Sequence, residues 1–297
     1  MKRIGTPRVI GIILVLIATL SYLTNKRGST ALGLAGILLI LWPQKTATQE
    51  LERFTKSFSK MKEAITASLY DSLFWAFMLS AGYFYLWRLK VKTAILQAST
   101  DLTREAFLKP DVVAQNAVQL KSLVWFFAIS LSLLAISIFA AYTLSRTLIW
   151  ATIAGKKLTK KRFIEWAKLN AIWWLLWAAP LLFVTFVTTK SSQARPLLAI
   201  ASMLFIYFTL HLHAQFAKIE KIGKSITRGV GFAISKIPQL ILPASFSFIA
   251  YIVAYQALTL TQYLPQNTWP VFNLIFAALY LNWLRTYLYP IISSFKE

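Results

Sequence analysis

Long apolar runs, separated by short basic stretches, set the pattern of this chain. The runs cover residues 9–23, 31–42, 68–87, 123–144, 167–188, 196–215, 237–260 and 271–289. A helix needs about 20 apolar residues to cross a bilayer, so the first two runs are short and the other six are long enough. The pattern predicts an all-α polytopic membrane bundle of about eight spans. Residues 1–45 form a short N-terminal membrane hairpin and 46–297 a six-span domain. The basic start followed by 9–23 has the layout of a secretory signal. Ala18, Thr19 and Leu20 make no small-x-small cleavage site, however, so a retained first span is expected.

Between the spans the period changes. In 46–65, Leu51, Phe54, Phe58, Met61 and Ile65 recur at helical spacing, with Arg53, Lys56, Lys60 and Lys62 between them. In 216–236, Phe216, Ile219, Ile222, Ile226 and Val230 do the same among Lys218, Lys221, Lys224 and Arg228. Both segments read as basic amphipathic helices lying on an anionic leaflet. Residues 88–122 read as an extramembrane helical hairpin extending the third and fourth spans, its second helix opened by Pro110. A basic segment thus precedes an apolar hairpin repeatedly, but the copies share too few residues to establish duplication.

Composition fits the same class. Hydrophobic residues make up 57% and charged residues 14%, against about a quarter charged in a soluble domain. The net charge of +22 would suit nucleic acid if it formed a basic domain. Here the cations interrupt apolar runs instead, so anionic lipid is the expected partner and nucleic acid is not. The densest cluster is GKKLTKKR at 155–162. An excess of Lys and Arg marks cytoplasmic loops. An eight-span topology with that loop and both termini cytoplasmic places 22 of the 32 Lys and Arg inside and 10 outside. The plasma membrane is the expected host. Lys56, Lys60, Lys156, Lys157, Lys160, Lys161, Arg162, Lys218, Lys221, Lys224 and Arg228 are the candidate headgroup contacts. Partner subunits, or a second copy of the chain, are further expected partners.

Most catalytic chemistries lack their residues. There is no Cys, hence no thiolate nucleophile or Cys-ligated metal. Gly223, Lys224 and Ser225 could end a phosphate-binding loop, but the Gly required five positions earlier is Lys218. His211 and His213, two apart on a helix, point about 160° from each other and cannot chelate one ion from a common face. Trp166, Trp173, Trp174 and Trp177 read as an interfacial belt. No cofactor is expected. The remaining clue is polar residues inside spans, which face the bundle interior or a wet cavity. Asp71, Arg285 and His211 fall at matching depths and form the candidate intramembrane cluster, with Asp71 and Arg285 as an ion pair. Asn170, Gln256, Asn273 and Asn282 read as packing contacts. The expected role is non-enzymatic: a small-solute or lipid-handling permease, or a membrane assembly subunit. The rival is an intramembrane lipid-modifying enzyme using Asp71 or His211 as acid or base.

Overall fold

The computed structural model describes residues 6–23, 29–99, 109–190, 195–259 and 269–295. Among them every regular element is a helix: α1 (Thr6–Leu23), α2 (Ser29–Leu41), α3 (Gln44–Ser57), a 3₁₀ turn (Phe58–Lys60), α4 (Met61–Ser99), α5 (Pro110–Ile153), α6 (Lys160–Lys190), α7 (Arg195–Ile219), α8 (Ile222–Ser235), α9 (Ile237–Thr259) and α10 (Trp269–Ser294). The expected turns at 25–30, 190–195 and 264–270, and the tip of the 88–122 hairpin, lie wholly or partly outside the described residues.

Five of the described helical stretches are long and apolar enough to cross a membrane: Lys45–Gln97, Pro110–Ile153, Lys160–Phe186, Pro196–Ile219 and Ile237–Gln256. They correspond to the expected third to seventh spans. The expected first two, α1 and α2, have 18 and 13 residues, and α1 qualifies only as a shorter apolar helix. The expected eighth, α10, has 26 residues, but Asn273, Asn282, Arg285 and Thr286 dilute its apolar character.

Two expected amphipathic helices are each broken. The 46–65 segment runs as α3 only to Ser57, passes through the 3₁₀ turn, and resumes as the start of α4. The hydroxyls of Ser57 and Ser59 donate to the carbonyls of Phe54 (2.6 Å) and Lys56 (2.7 Å), the local bonding by which Ser bends a helix. The 216–236 segment breaks at Glu220, whose φ of 57° is in the left-handed region. Phe216 and Ile219 therefore belong to α7, and of the five expected apolar positions Ile222, Ile226 and Val230 remain on α8, half-buried beside the buried Ser225, Gly229 and Ala233. The basic loop is also shorter than expected. α6 begins at Lys160, where the Thr159 hydroxyl accepts from the Arg162 amide (3.2 Å) as an N-cap.

The chain divides into two compact units, Met1–Tyr70 with Thr147–Glu297, and Asp71–Arg146. In the first, α7 and α10 pack together; α6 and α8 flank α7, and α3 and α9 flank α10. α1 and α2 pair along their length at Gly11 and Gly36, where an added Cβ on either would lie 2.7 Å from the other's carbonyl oxygen. Small residues let helix backbones approach in this way where lipid removes any hydrophobic drive between helices. Gly229 serves the same purpose between α8 and α7: its Cβ would meet Leu212 Cα at 2.8 Å.

The second unit is a pair of antiparallel helical arms. Asp71 meets Arg146, the Phe74 and Tyr142 rings lie 5.9 Å apart, and the Tyr85 and Phe127 rings 6.4 Å. As the number on one arm rises, its partner's falls, which fixes the direction. α4 and α5 have 39 and 44 residues, so they run about 58 and 66 Å at 1.5 Å per residue. That is about twice the hydrocarbon thickness of a bilayer.

Candidate functional site

The cationic end of the first unit is built by two chain reversals, after α5 and after α7, and by the end of α10. α5 closes with Gly155 in the left-handed region (φ 64°), its amide donating to Thr152 O (3.2 Å) and the Lys156 amide to Ala151 O (2.8 Å). This pairing is the glycine-terminated helix cap, and it turns Lys156 back toward α7. There the Lys156 ammonium donates to Ala217 O (2.6 Å), a carbonyl in the last turn of α7, and to Glu220 Oε1 (2.7 Å). Arg162 adds two bonds to the same oxygen, from Nη2 at 3.0 Å and Nε at 3.2 Å. The hydrogen bond from Lys156 holds the Glu220 carboxyl below its ordinary range, with the charges of Lys156 and Arg162 adding to it. Lys218 donates to Ser293 O (2.6 Å) and joins the end of α10 to this platform. Lys157, Lys160, Lys161, Lys221 and Lys224 remain exposed around it; Lys56 and Lys60, on α3 and the 3₁₀ turn, are exposed too. Arg228, on α8, is half-buried.

Behind the platform, α7 is buried on every side from His211 to Ala217. Its polar groups are used between helices. His213 Nε2 lies 3.0 Å from Asn170 Oδ1, with the ring edge-on to Trp166 and Trp150. Gln215 donates to Ile292 O (2.8 Å), and Trp173 Nε1 to the Thr209 hydroxyl (2.8 Å). His211 is 1% exposed, and its Nδ1 donates to Tyr207 O (3.0 Å). That bond fixes the proton on Nδ1, so Nε2, which is buried and has no hydrogen-bond partner among the described residues, presents its lone pair. Trp166 and Trp173 are buried core residues and not a belt. Their rings fill the space between α6 and α7.

Between α3, α9 and α10 lie two cavities. One, of about 640 Å³, has a polar lining that includes Thr46, Glu50, Arg53, Lys236, Gln239 and Ser294. The other, of about 460 Å³, is apolar and is lined by Phe54, Phe58, Ile249, Val253, Phe276 and Trp283, among others. Glu50, four residues before Phe54 on the same face of α3, is 4% exposed. Its carboxylate accepts from Tyr287 OH (2.6 Å) and Arg53 Nη1 (3.2 Å).

In the second unit, the Asp71 carboxylate accepts from Arg146 Nη2. The guanidinium also faces the Phe74 and Tyr142 rings, 5.7 and 5.2 Å from their centroids, and its Nε is buried with no hydrogen-bond partner among the described residues. The partner expected for Asp71 was Arg285. The structure supplies Arg146, while Arg285 Nη1 donates to Asn282 Oδ1 (2.6 Å). Arg146 lies just past the apolar run 123–144, at the end of the expected fourth span. Consecutive antiparallel spans place the start of one beside the end of the next, and that rule would have found it. Asp71 belongs to one compact unit, and His211 and Arg285 to the other. Among the described residues, no group of three or more His, Asp or Glu is placed to hold a metal ion. Compared with known proteins, the chain matches no family model, no curated protein and no solved structure.

Proposed function

We propose that the protein is a non-enzymatic, lipid-handling component of its membrane, seated with its cationic end on an anionic leaflet. The braced platform carries this reading. Lys156 and Arg162 are fixed by Glu220, while Lys157, Lys160, Lys161, Lys221 and Lys224 stay exposed at the same end. Lys160, Lys161 and Arg162 also occupy the first turn of α6, the positive end of a helix dipole. Cations gathered there repel one another and the dipole, and an anionic surface relieves both. Each such cation near a charged leaflet contributes on the order of 1 kcal/mol. The excess of Lys and Arg favours a cytoplasmic placement of this end, with both termini on that side. The far ends of α4 and α5, within 88–122, stand outside the bilayer.

The other polar groups support handling over chemistry. His213, Gln215 and Glu50 hold helices together, and the Asp71 carboxylate has the Arg146 guanidinium as counter-ion. The test is native mass spectrometry after purification from bilayers of mixed lipid. Wild-type protein should retain anionic over zwitterionic lipid, and Lys157→Glu, Lys160→Glu and Lys161→Glu together should remove the preference. Equal retention of both lipids by the wild type refutes the reading.

A further inference from the structure

The two cavities between α3, α9 and α10 follow one another along all three helices. On α3, the polar cavity takes Glu50 and Arg53, and the apolar one takes Phe54, the next residue. On α9, the order runs from Gln239 to Ala250, and on α10, in reverse, from Ser294 to Trp283. At the change of lining, Phe54 packs on Phe246 (5.2 Å) and Tyr287 (5.7 Å). The polar cavity opens beside the platform, since Lys218 holds the carbonyl of Ser293, the neighbour of Ser294. Gln239 and Ala250 lie about 16 Å apart at 1.5 Å per residue, within the candidate span Ile237–Gln256. One leaflet of hydrocarbon is about 15 Å deep.

We propose that this seam binds one phospholipid with a single net negative charge, its phosphate at Arg53 and Lys236 and an acyl chain in the apolar cavity. The charges match. Arg53 and Lys236 outweigh Glu50 by one at the mouth; Glu50 holds Tyr287 with one oxygen and Arg53 Nη1 with the other (3.2 Å), and the Arg53 side chain stays 57% exposed. Both cavities fall within the 300–1,000 Å³ of ligand pockets, and the apolar lining with a few placed polar groups is their usual character. The site rests on the reading that the cationic end lies at a membrane interface, which puts the head at headgroup level and the chain at acyl depth.

The test uses full-length protein in nanodiscs with lipids carrying a photoreactive group on the acyl chain, one monoanionic and one zwitterionic, and maps the adducts. The monoanionic lipid should label 249–254 and 276–283 preferentially. Arg53→Gln and Lys236→Gln should each reduce that preference by about five-fold. Ala254→Trp, which fills the apolar cavity, should suppress labelling there by both lipids while adducts elsewhere persist. Excess inorganic phosphate should leave the labelling unchanged, because the chain and not the phosphate alone supplies the fit. Equal labelling by both lipids in the wild type, displacement by phosphate, or adducts mapping away from the seam overturns the site. The platform variants at 157, 160 and 161 separate the two ideas: if they abolish general anionic retention but leave seam labelling intact, the site stands by itself.

Discussion

Replacing Asp71 by leucine tests whether its ion pair holds α4 to α5. Asp71 is 3% exposed and Arg146 7%, so the variant leaves a buried guanidinium without its counter-ion. Breaking such a pair costs about 3–5 kcal/mol, most of it from the stranded charge. The Phe74 and Tyr142 rings recover about 1 kcal/mol through their π faces, and the unsatisfied Nε already weakens the native pair. Asp71→Leu should therefore lose about 3 kcal/mol. Arg146→Met should lose less, about 2 kcal/mol, since a stranded carboxyl can take up a proton. The double variant replaces the pair by apolar groups of similar volume and should lie within about 1 kcal/mol of the native protein. Reversible unfolding in mixed micelles titrated with a denaturing detergent measures all four proteins. Single losses that add to within about 0.5 kcal/mol show no coupling and refute the pair.

Gly11→Val should open the α1–α2 contact at a cost of about 1–3 kcal/mol, because the backbone must shift to admit the side chain. Disulfide cross-linking between cysteines introduced on α1 and α2 of this Cys-free chain reads the change, and an unaltered rate contradicts it. Glu220→Gln should speed hydrogen exchange in 155–162 by releasing Lys156 and Arg162. The native carboxyl is held below its ordinary 4.5, so its contribution is complete above that pH and fades as the pH falls through the lowered value. Exchange in the native loop should thus rise only in acid more extreme than pH 4.5, and the variant's should lack that rise. A cysteine in place of Thr159 should react with an impermeant reagent only from the cytoplasmic side; labelling from outside reverses the topology.

The helical class and the presence of long apolar helices were legible because apolar length is a local property, whereas the helical stretches Lys45–Gln97 and Pro110–Ile153 run well past the apolar runs 68–87 and 123–144 they contain. Pro110 opens α5, as its fixed φ and missing amide proton dictate. The breaks at 58–60 and 220 were not legible. The hydrophobic period continues through both, and the chain is interrupted by bonds the pattern does not encode: serine hydroxyls in one case, and Lys156 and Arg162 drawing on Glu220 from another loop in the other. Glu50 was missed for a related reason. It follows Ala47 on the inner face of α3, where a Tyr hydroxyl from α10 makes a buried acid tolerable. Of the candidate residues, Asp71 was singled out by depth alone, which finds a buried charge but does not say which of several cations answers it.

The bonds that α10 makes carry a consequence for how the protein is made. Tyr287 reaches back 237 residues to Glu50, Trp283 reaches 226 to Ser57, and Gln215 bonds forward 77 residues to Ile292. α10 is the last of the described helices to leave the ribosome, so a carboxylate, a hydroxyl and an amide are made well before these partners exist. Until then they must be shielded by water, lipid headgroups or an insertion factor. A chain halted before α10 would present these groups uncovered at the surface where that helix docks, and so carry a visible mark of being unfinished.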